Sequence, residues 1–205
     1  MMQAELIVID SETGGLDPDR DSLLSISLVA WSRHAISEGI ELLIGEQVIE
    51  TKAESMAINR LDLGKIRSEG IEPSDAVERL EHFVRTFVPA SERAVLAGHN
   101  VSFDIGFLKR LYRLAGRDYS RVFSHRSFDT ASVLRFLRLS QLADLPDDSS
   151  DAAFAYFKVL PPAELRHSAL GDAMATAMLI TRLVELGVAV APHKYAVSER
   201  LAKNP

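Results

Sequence analysis

The run Leu6-Ile7-Val8-Ile9 closes directly on Asp10-Ser11-Glu12. Its four consecutive apolar side chains leave no polar face for solvent, so the segment reads as a central strand buried on both faces and ending at Asp10. Asp10 and Glu12 lie two apart, and extended backbone projects such residues to the same face. Two adjacent carboxylates repel unless a cation neutralises them or one takes a proton. Hard oxygen donors select Mg²⁺ or Mn²⁺ over softer metals. An isolated Asp-x-Glu also opens ordinary surface turns, so the pair acquires meaning only with support from elsewhere in the chain.

Downstream, Gly14-Gly15 and Asp17-Pro18-Asp19 mark a turn-rich connection. A second strand is expected over about residues 23–31, where Leu24, Ile26 and Leu28 alternate with Ser25, Ser27 and Val29. A third, around Gly39–Ile44, completes a meander, and Lys52–Gly70 reads as short helices and loops. A helix starts near Pro73-Ser74-Asp75, with Val77, Leu80, Val84 and Phe87 at helical spacing and Pro89 as its stop. Ala94–Ala97 reads as a strand ending at Gly98. Asn100 then caps a helix carrying Ile105, Leu108, Leu111 and Leu114, which Gly116 terminates. Further helices are expected over Thr130–Leu139 and from about Ser168 to Leu186, stopping at Gly187, with a polar loop at Asp144–Ser150. A meander followed by alternating strand and helix predicts a mixed α/β sheet. We expect one domain over 1–205, its core at about 4–188 and a tail at about 189–205, since 205 residues do not demand a second core.

The helix starts place further chemistry. With Asn100 as cap, Asp104 falls in a first helical turn, and Asp172 does the same if Ser168 caps the last helix. Each alone is an ordinary complement to the helix dipole. Converging with Asp10 and Glu12, they form a four-carboxylate nest that bound metals make tolerable. His167 stands just before that helix, free of its periodicity, where a neutral imidazole is placed to take a proton from an attacking water. His34, His82, His125 and His193 read as surface or hydrogen-bonding residues, and His99 as organising the loop before Asn100.

The chain has no cysteine, which excludes disulfides, thiolate zinc sites and a cysteine nucleophile. No apolar run reaches the roughly 18–20 residues of a membrane span, and the N-terminus lacks the charged region of a secretory signal. A cytoplasmic protein without a membrane partner is expected. The net charge of −6 is uneven: residues 1–90 carry 8 basic and 17 acidic side chains (net −9), whereas residues 91–143 carry 9 and 4 (net +5). Lys109, Arg110, Arg113, Arg117, Arg121, Arg126, Arg135 and Arg138 attract a phosphate backbone beside an acidic metal site, or form solvated helix faces.

Taken together, Asp10-Ser-Glu12-Thr13-Gly14-Gly15-Leu16, Gly98-His99-Asn100-Val-Ser-Phe103-Asp104 and His167-Ser-Ala-Leu-Gly-Asp172-Ala173 resemble the three motifs of the DEDDh (DnaQ-like) 3′–5′ exonucleases. That group includes the polymerase III epsilon proofreading subunit, ribonuclease T and oligoribonuclease. The motifs span residues 10–173 and hold all five signature positions. Ser11 stands where the first motif more often has threonine, and alternation points it away from the metals. The resemblance implies a ribonuclease H-like fold, a mixed five-stranded sheet with helices on both faces. It implies two divalent ions, Mg²⁺ or Mn²⁺. Asp10, Glu12 and Asp172 would hold the ion that activates water, with Asp10 bridging to a second ion near Asp104 and His167 as general base. Thr13, Gly14, Leu16, Asn100 and Phe103 fall where relatives hold the 3′-terminal nucleotide. Leu16 would wedge beside the last base, and Phe103 would either support stacking or belong to the core.

The expected activity is therefore release of nucleoside 5′-monophosphates from single-stranded DNA or RNA 3′ ends. Alternatives are a polymerase-associated proofreading or non-catalytic nucleic-acid-binding subunit, and a phosphodiesterase for dinucleotides. A polymerase partner or a homodimer is compatible with the sequence, and the tail Ala191–Pro205 has no legible structure.

Overall fold

The computed structural model describes residues 2–59, 61–161, 165 and 168–190. Strand β1 (Leu6–Thr13) continues past Ile9 through both carboxylates. It does so because β2 (Leu23–Ser32) pairs antiparallel with it to the end, setting Asp10 opposite Ser27 and Glu12 opposite Ser25. The far edge of β2 carries two short antiparallel strands, β3 (Ala35–Ile36) and β4 (Ile40–Leu43), separated at Gly39 with φ +80°. On the other side, β5 (Ala94–Gly98) runs parallel to β1, and β6 (Phe123–Asp129) runs parallel to β5. The sheet is mixed as expected, with order β3-β2-β1-β5-β6 and β4 also on β2. Its six strands occupy five positions, because β3 and β4 divide one edge between them.

Alternation along β1 sorts the core into two layers. Ile7 and Ile9, with Ile26, Leu28 and Leu96, pack beneath α3 (Pro73–Phe87) and α4 (Ser102–Leu114). Val8, Val29 and Ala97 face the opposite way, against Ala173, Ala177 and Ile180 of α7 (Ala169–Val190). Those alanines let α7 lie close to the sheet, and its outer side closes over α5 (Thr130–Leu139) and α6 (Ser150–Phe157) through Leu134, Phe154 and Leu179. Burying each such Leu, Ile or Phe contributes roughly 1.5–3 kcal/mol. Two short helices follow: α1 (Ala53–Asn59) reaches the end of β1 through Asn59, and α2 (Leu63–Glu69) leads into Ile71, which bridges Ile44. None of the helices among the described residues is long and apolar enough to cross a membrane.

Several local expectations change. In α4 the buried apolar stripe runs through Phe107, Leu108, Leu111 and Tyr112, while Leu114 is half exposed. Gly116 terminates that helix with φ +64°, and the N–H of Arg117 reaches back to the Tyr112 carbonyl at 2.9 Å. Gly187 has no such positive φ, and α7 continues through it to Val190. Strand β6 escaped notice because Ser124-His125-Arg126-Ser127 lies on a sheet edge with mostly exposed side chains and no apolar alternation. The tail 191–205 lies outside the described residues.

Candidate active site

Asp10 and Glu12 project from β1 on the side covered by α7. Asp172 enters from the first turn of that helix. Ser168 fixes the turn: its Oγ accepts from the Gly171 N–H at 3.1 Å, and its carbonyl accepts from Asp172 N–H at 3.0 Å. One carboxylate oxygen from each of Asp10, Glu12 and Asp172 lies within 4.8 Å of the others, and all three side chains are half-buried. Hard anionic donors held this close fit a divalent cation. Beside Asp10, the buried Ser27 hydroxyl has no hydrogen-bond partner, leaving further polar capacity at the same spot.

Asp104 stands outside that trio. It sits in the first turn of α4, only 5% exposed. There it accepts a 2.6 Å hydrogen bond from Ser11 Oγ. Alternation does turn Ser11 away from Asp10 and Glu12, but it thereby delivers the hydroxyl to the fourth carboxylate. Burial pushes Asp104 up to about 7, against the opposing pull of the Ser11 bond. His167 lies outside the described residues.

The turn after β1 is tightly built. Gly14 donates to the Ser22 carbonyl at 2.8 Å and accepts from the Lys52 N–H at 2.6 Å. A Cβ at Gly15 would collide with the Asp21 carboxylate, and one at Gly14 with the Glu50 carbonyl. The Thr13 hydroxyl is committed to the turn, donating to Gly15 O at 2.7 Å, and Asn59 Nδ2 donates to Thr13 O at 3.1 Å from the end of α1. Out of this turn Leu16 projects 77% exposed. Underneath, Glu46 and Arg110 form a buried pair, Nε–Oε1 at 3.0 Å and Nη2–Oε2 at 2.7 Å, while Arg110 Nη1 reaches Pro18 O at 3.3 Å.

Asn100 does not cap α4 with its side chain. It adopts the left-handed region with φ +55°, and its carbonyl accepts from the Phe103 N–H at 2.9 Å. Its side chain is exposed and bonds to nothing among the described residues. Phe103 is half-buried and packs on Phe107 with ring centroids 5.0 Å apart, so its ring belongs at least in part to the core. His99 does organise its loop. Thr130 Oγ1 donates its one proton to Gly98 O at 3.2 Å, so the 3.2 Å contact to His99 Nδ1 requires the histidine to donate. Burial holds His99 below its ordinary value, opposed by the Asp129 and Asp148 charges.

Most of the basic stretch is already paired. Arg113 bonds Asp19, Arg117 bonds Glu81, Arg135 and Arg138 share Asp148, and Arg121 lies 3.7 Å from Asp118. Lys109 lies over the Tyr119 ring at 5.4 Å. Little of the +5 surplus is therefore left free for phosphates. The sequence alone assigns no role at the site to Ser11, Asn59, Glu46 or Asp129. An Asp-Thr pair opening an amphipathic helix was the available signal for the last of these.

Residues 7–180 match the family described as exonuclease, of the ribonuclease T type. Ribonuclease T of Hahella chejuensis is 28% identical over 178 residues, covering 78% of this chain and 80% of its own. The PolC-type DNA polymerase III of Thermotoga petrophila is 25% identical over 186 residues, covering 89% of this chain but 12% of the polymerase. Among solved structures, E. coli exonuclease I in complex with a dT13 oligonucleotide superposes with a TM-score of 0.75 at 16% identity. It covers 94% of this chain, which spans 44% of that one. The likeness extends the ribonuclease H-like reading of the sheet to the whole fold. The chain belongs to the ribonuclease T-type exonuclease family, within the DEDDh group, and is a nuclease.

Proposed function

We propose that this nuclease removes nucleotides from the 3′ end of single-stranded nucleic acid and releases nucleoside 5′-monophosphates. The observation that carries the proposal is the Asp10–Glu12–Asp172 trio, whose oxygens approach within 4.8 Å at the C-terminal end of the central strand β1. Divalent ions, two of Mg²⁺ or Mn²⁺, would supply Lewis acidity at the phosphate and lower the pKa of water there. Asp10, Glu12 and Asp172 would hold one ion, and Asp104, bonded by Ser11, would serve the second. His167 accepts a proton from the attacking water. As the new P–O bond forms, the bond to the penultimate 3′-oxygen breaks, and the shortened strand leaves with a 3′-hydroxyl. Leu16, 77% exposed on the turn that follows Glu12, would meet the last base. Thr13, Gly14, Asn100 and Phe103 border the same nucleotide.

The resemblance to PolC-type polymerases over 89% of this chain favours a second reading, proofreading in association with a polymerase. The test is digestion of matched single-stranded DNA, RNA and dinucleotides with Mg²⁺, Mn²⁺ or EDTA, beside Asp10→Ala. The proposal predicts metal-dependent mononucleotide release from the oligomers, lost in the variant. Turnover restricted to dinucleotides, or retained by Asp10→Ala, overturns it. Co-purification with a polymerase subunit, together with faster hydrolysis of a mispaired primer end, marks the proofreading role.

A further inference from the structure

Asn100 is the one residue among the proposed substrate contacts whose backbone is left-handed, with φ +55°. Asparagine tolerates that region better than most residues, but it does not choose it unaided. What holds it there comes from the neighbouring strand. Asp129 ends β6, beside Gly98 at the end of β5. Its Oδ1 accepts from the Val101 N–H at 3.3 Å, on the residue that follows Asn100. Its Oδ2 is engaged elsewhere, capping α5 through the Ser132 N–H at 3.1 Å and Oγ at 2.5 Å. Thr130, fully buried, holds Gly98 and His99 on the preceding side. The segment 98–101 is thus clamped by two successive residues at the junction of β6 and α5, while the Asn100 side chain is left exposed.

We propose that Asp129 is a positioning residue for the substrate: by accepting the amide proton of Val101, it fixes the left-handed turn that presents the Asn100 side chain to the terminal nucleotide. This rests on the reading of Asn100 as a substrate contact. A backbone N–H donating to a carboxylate is a charge-assisted bond, here at 3.3 Å. Releasing it lets Asn100 relax to negative φ and swings its side chain away. Asp104 lies a further turn along α4, anchored separately by Ser11, so loss of the clamp acts on binding of the nucleotide ahead of the chemical step.

The two jobs of Asp129 are separable by substitution. Asp129→Ser keeps a hydroxyl that caps α5 but is too short to reach Val101, whereas Asp129→Asn keeps the shape and loses the charge. Steady-state hydrolysis of a single-stranded oligonucleotide is measured for the wild type, each of these variants, Asn100→Gly, and Asn100→Gly combined with Asp129→Ser. Asp129→Ser is expected to raise KM by roughly tenfold to a hundredfold with kcat little changed, Asp129→Asn by less, and Asn100→Gly comparably. In the Asn100→Gly background, Asp129→Ser should add less than about twofold, because there is no side chain left to aim. A fully additive second loss, or a fall in kcat at unchanged KM, overturns the proposal in favour of a purely structural role. If Asp129→Ser does not fold, the same comparison is read from Asp129→Asn. Should Asn100→Gly leave KM unchanged, it is the substrate-contact reading that fails, and this inference with it. A raised KM in Asn100→Gly with silent Asp129 variants sinks the inference alone.

Discussion

Glu46→Ala should be among the most destabilising single substitutions outside the apolar core. The Glu46 side chain is 4% exposed and that of Arg110 14%, and the two meet through a bidentate pair. Glu46 also accepts from Ser22 Oγ at 2.9 Å and from the Leu23 N–H at 3.1 Å. Truncation leaves the Arg110 guanidinium buried without its counter-charge and the Leu23 N–H without its acceptor, while the Ser22 hydroxyl keeps only its 3.3 Å contact to Val48 O. Breaking a buried ion pair from one side costs about 3–5 kcal/mol. For a chain of this length, each kcal/mol lowers Tm by roughly 2–4 °C, so a fall of about 6–20 °C is expected. The internal reference is Arg113→Ala, which removes an ion pair with both partners exposed and should cost under about 1 kcal/mol. Urea denaturation of the metal-free proteins makes the comparison, read as a shift in midpoint at unchanged slope. Combining Glu46→Gln with Arg110→Met should restore much of the loss, since an apolar replacement of a buried pair is often neutral. A Glu46→Ala cost no larger than that of Arg113→Ala would refute the claim that this pair secures the turn bearing Leu16.

Asp104→Asn should stabilise the metal-free protein at alkaline pH while abolishing hydrolysis. Burial raises the carboxyl from 3.8 to about 7, so the native state keeps a proton that the unfolded chain has already released. The wild type therefore loses stability relative to the variant as pH rises from about 4 to 7, the difference levelling above that at roughly 2–4 kcal/mol; thermal melts in EDTA at pH 5 and pH 8 measure it, and Mg²⁺ should erase it. Ser11→Ala removes the 2.6 Å donor to Asp104 and should raise the Mg²⁺ concentration for half-maximal activity by roughly 10- to 100-fold, while Ser11→Thr should not; metal titration of the rate decides. His99, held below its usual 6.5 by burial, supports stability fully above pH 6.5, and that support is lost as pH falls through its lower folded value. His99→Gln should accordingly narrow its stability gap to the wild type between pH 7 and pH 5 in urea titrations.

What could be read from the sequence was what a local pattern encodes. The apolar run Leu6–Ile9, the alternation of β2 and the periodicity of α3, α5 and α7 each state their own burial, and the elements appear where expected. Strand β6 was not readable because its edge position removes the pattern and a parallel partner distant in sequence supplies its bonds. The same limit applies at the site. That Asp10 and Glu12 share a face follows from the period of a strand, but that Ser11 meets Asp104 requires knowing that α4 covers the other face. The basic stretch shows the converse. Its charge was plain, yet its partners Asp19, Glu81, Asp118 and Asp148 are brought to it largely by folding, which leaves it far less cationic than its composition suggests.

The central claim is hydrolysis of the terminal 3′ phosphodiester by water at the Asp10–Glu12–Asp172 cluster. Its most direct test is single-turnover digestion of a single-stranded oligonucleotide in H₂¹⁸O, with mass analysis of every product. The account predicts one ¹⁸O in the phosphate of the released nucleoside 5′-monophosphate, none in the shortened strand, and no product from Asp10→Ala. Release from the 5′ end, a 3′-phosphate product, or label incorporation that survives Asp10→Ala would contradict it.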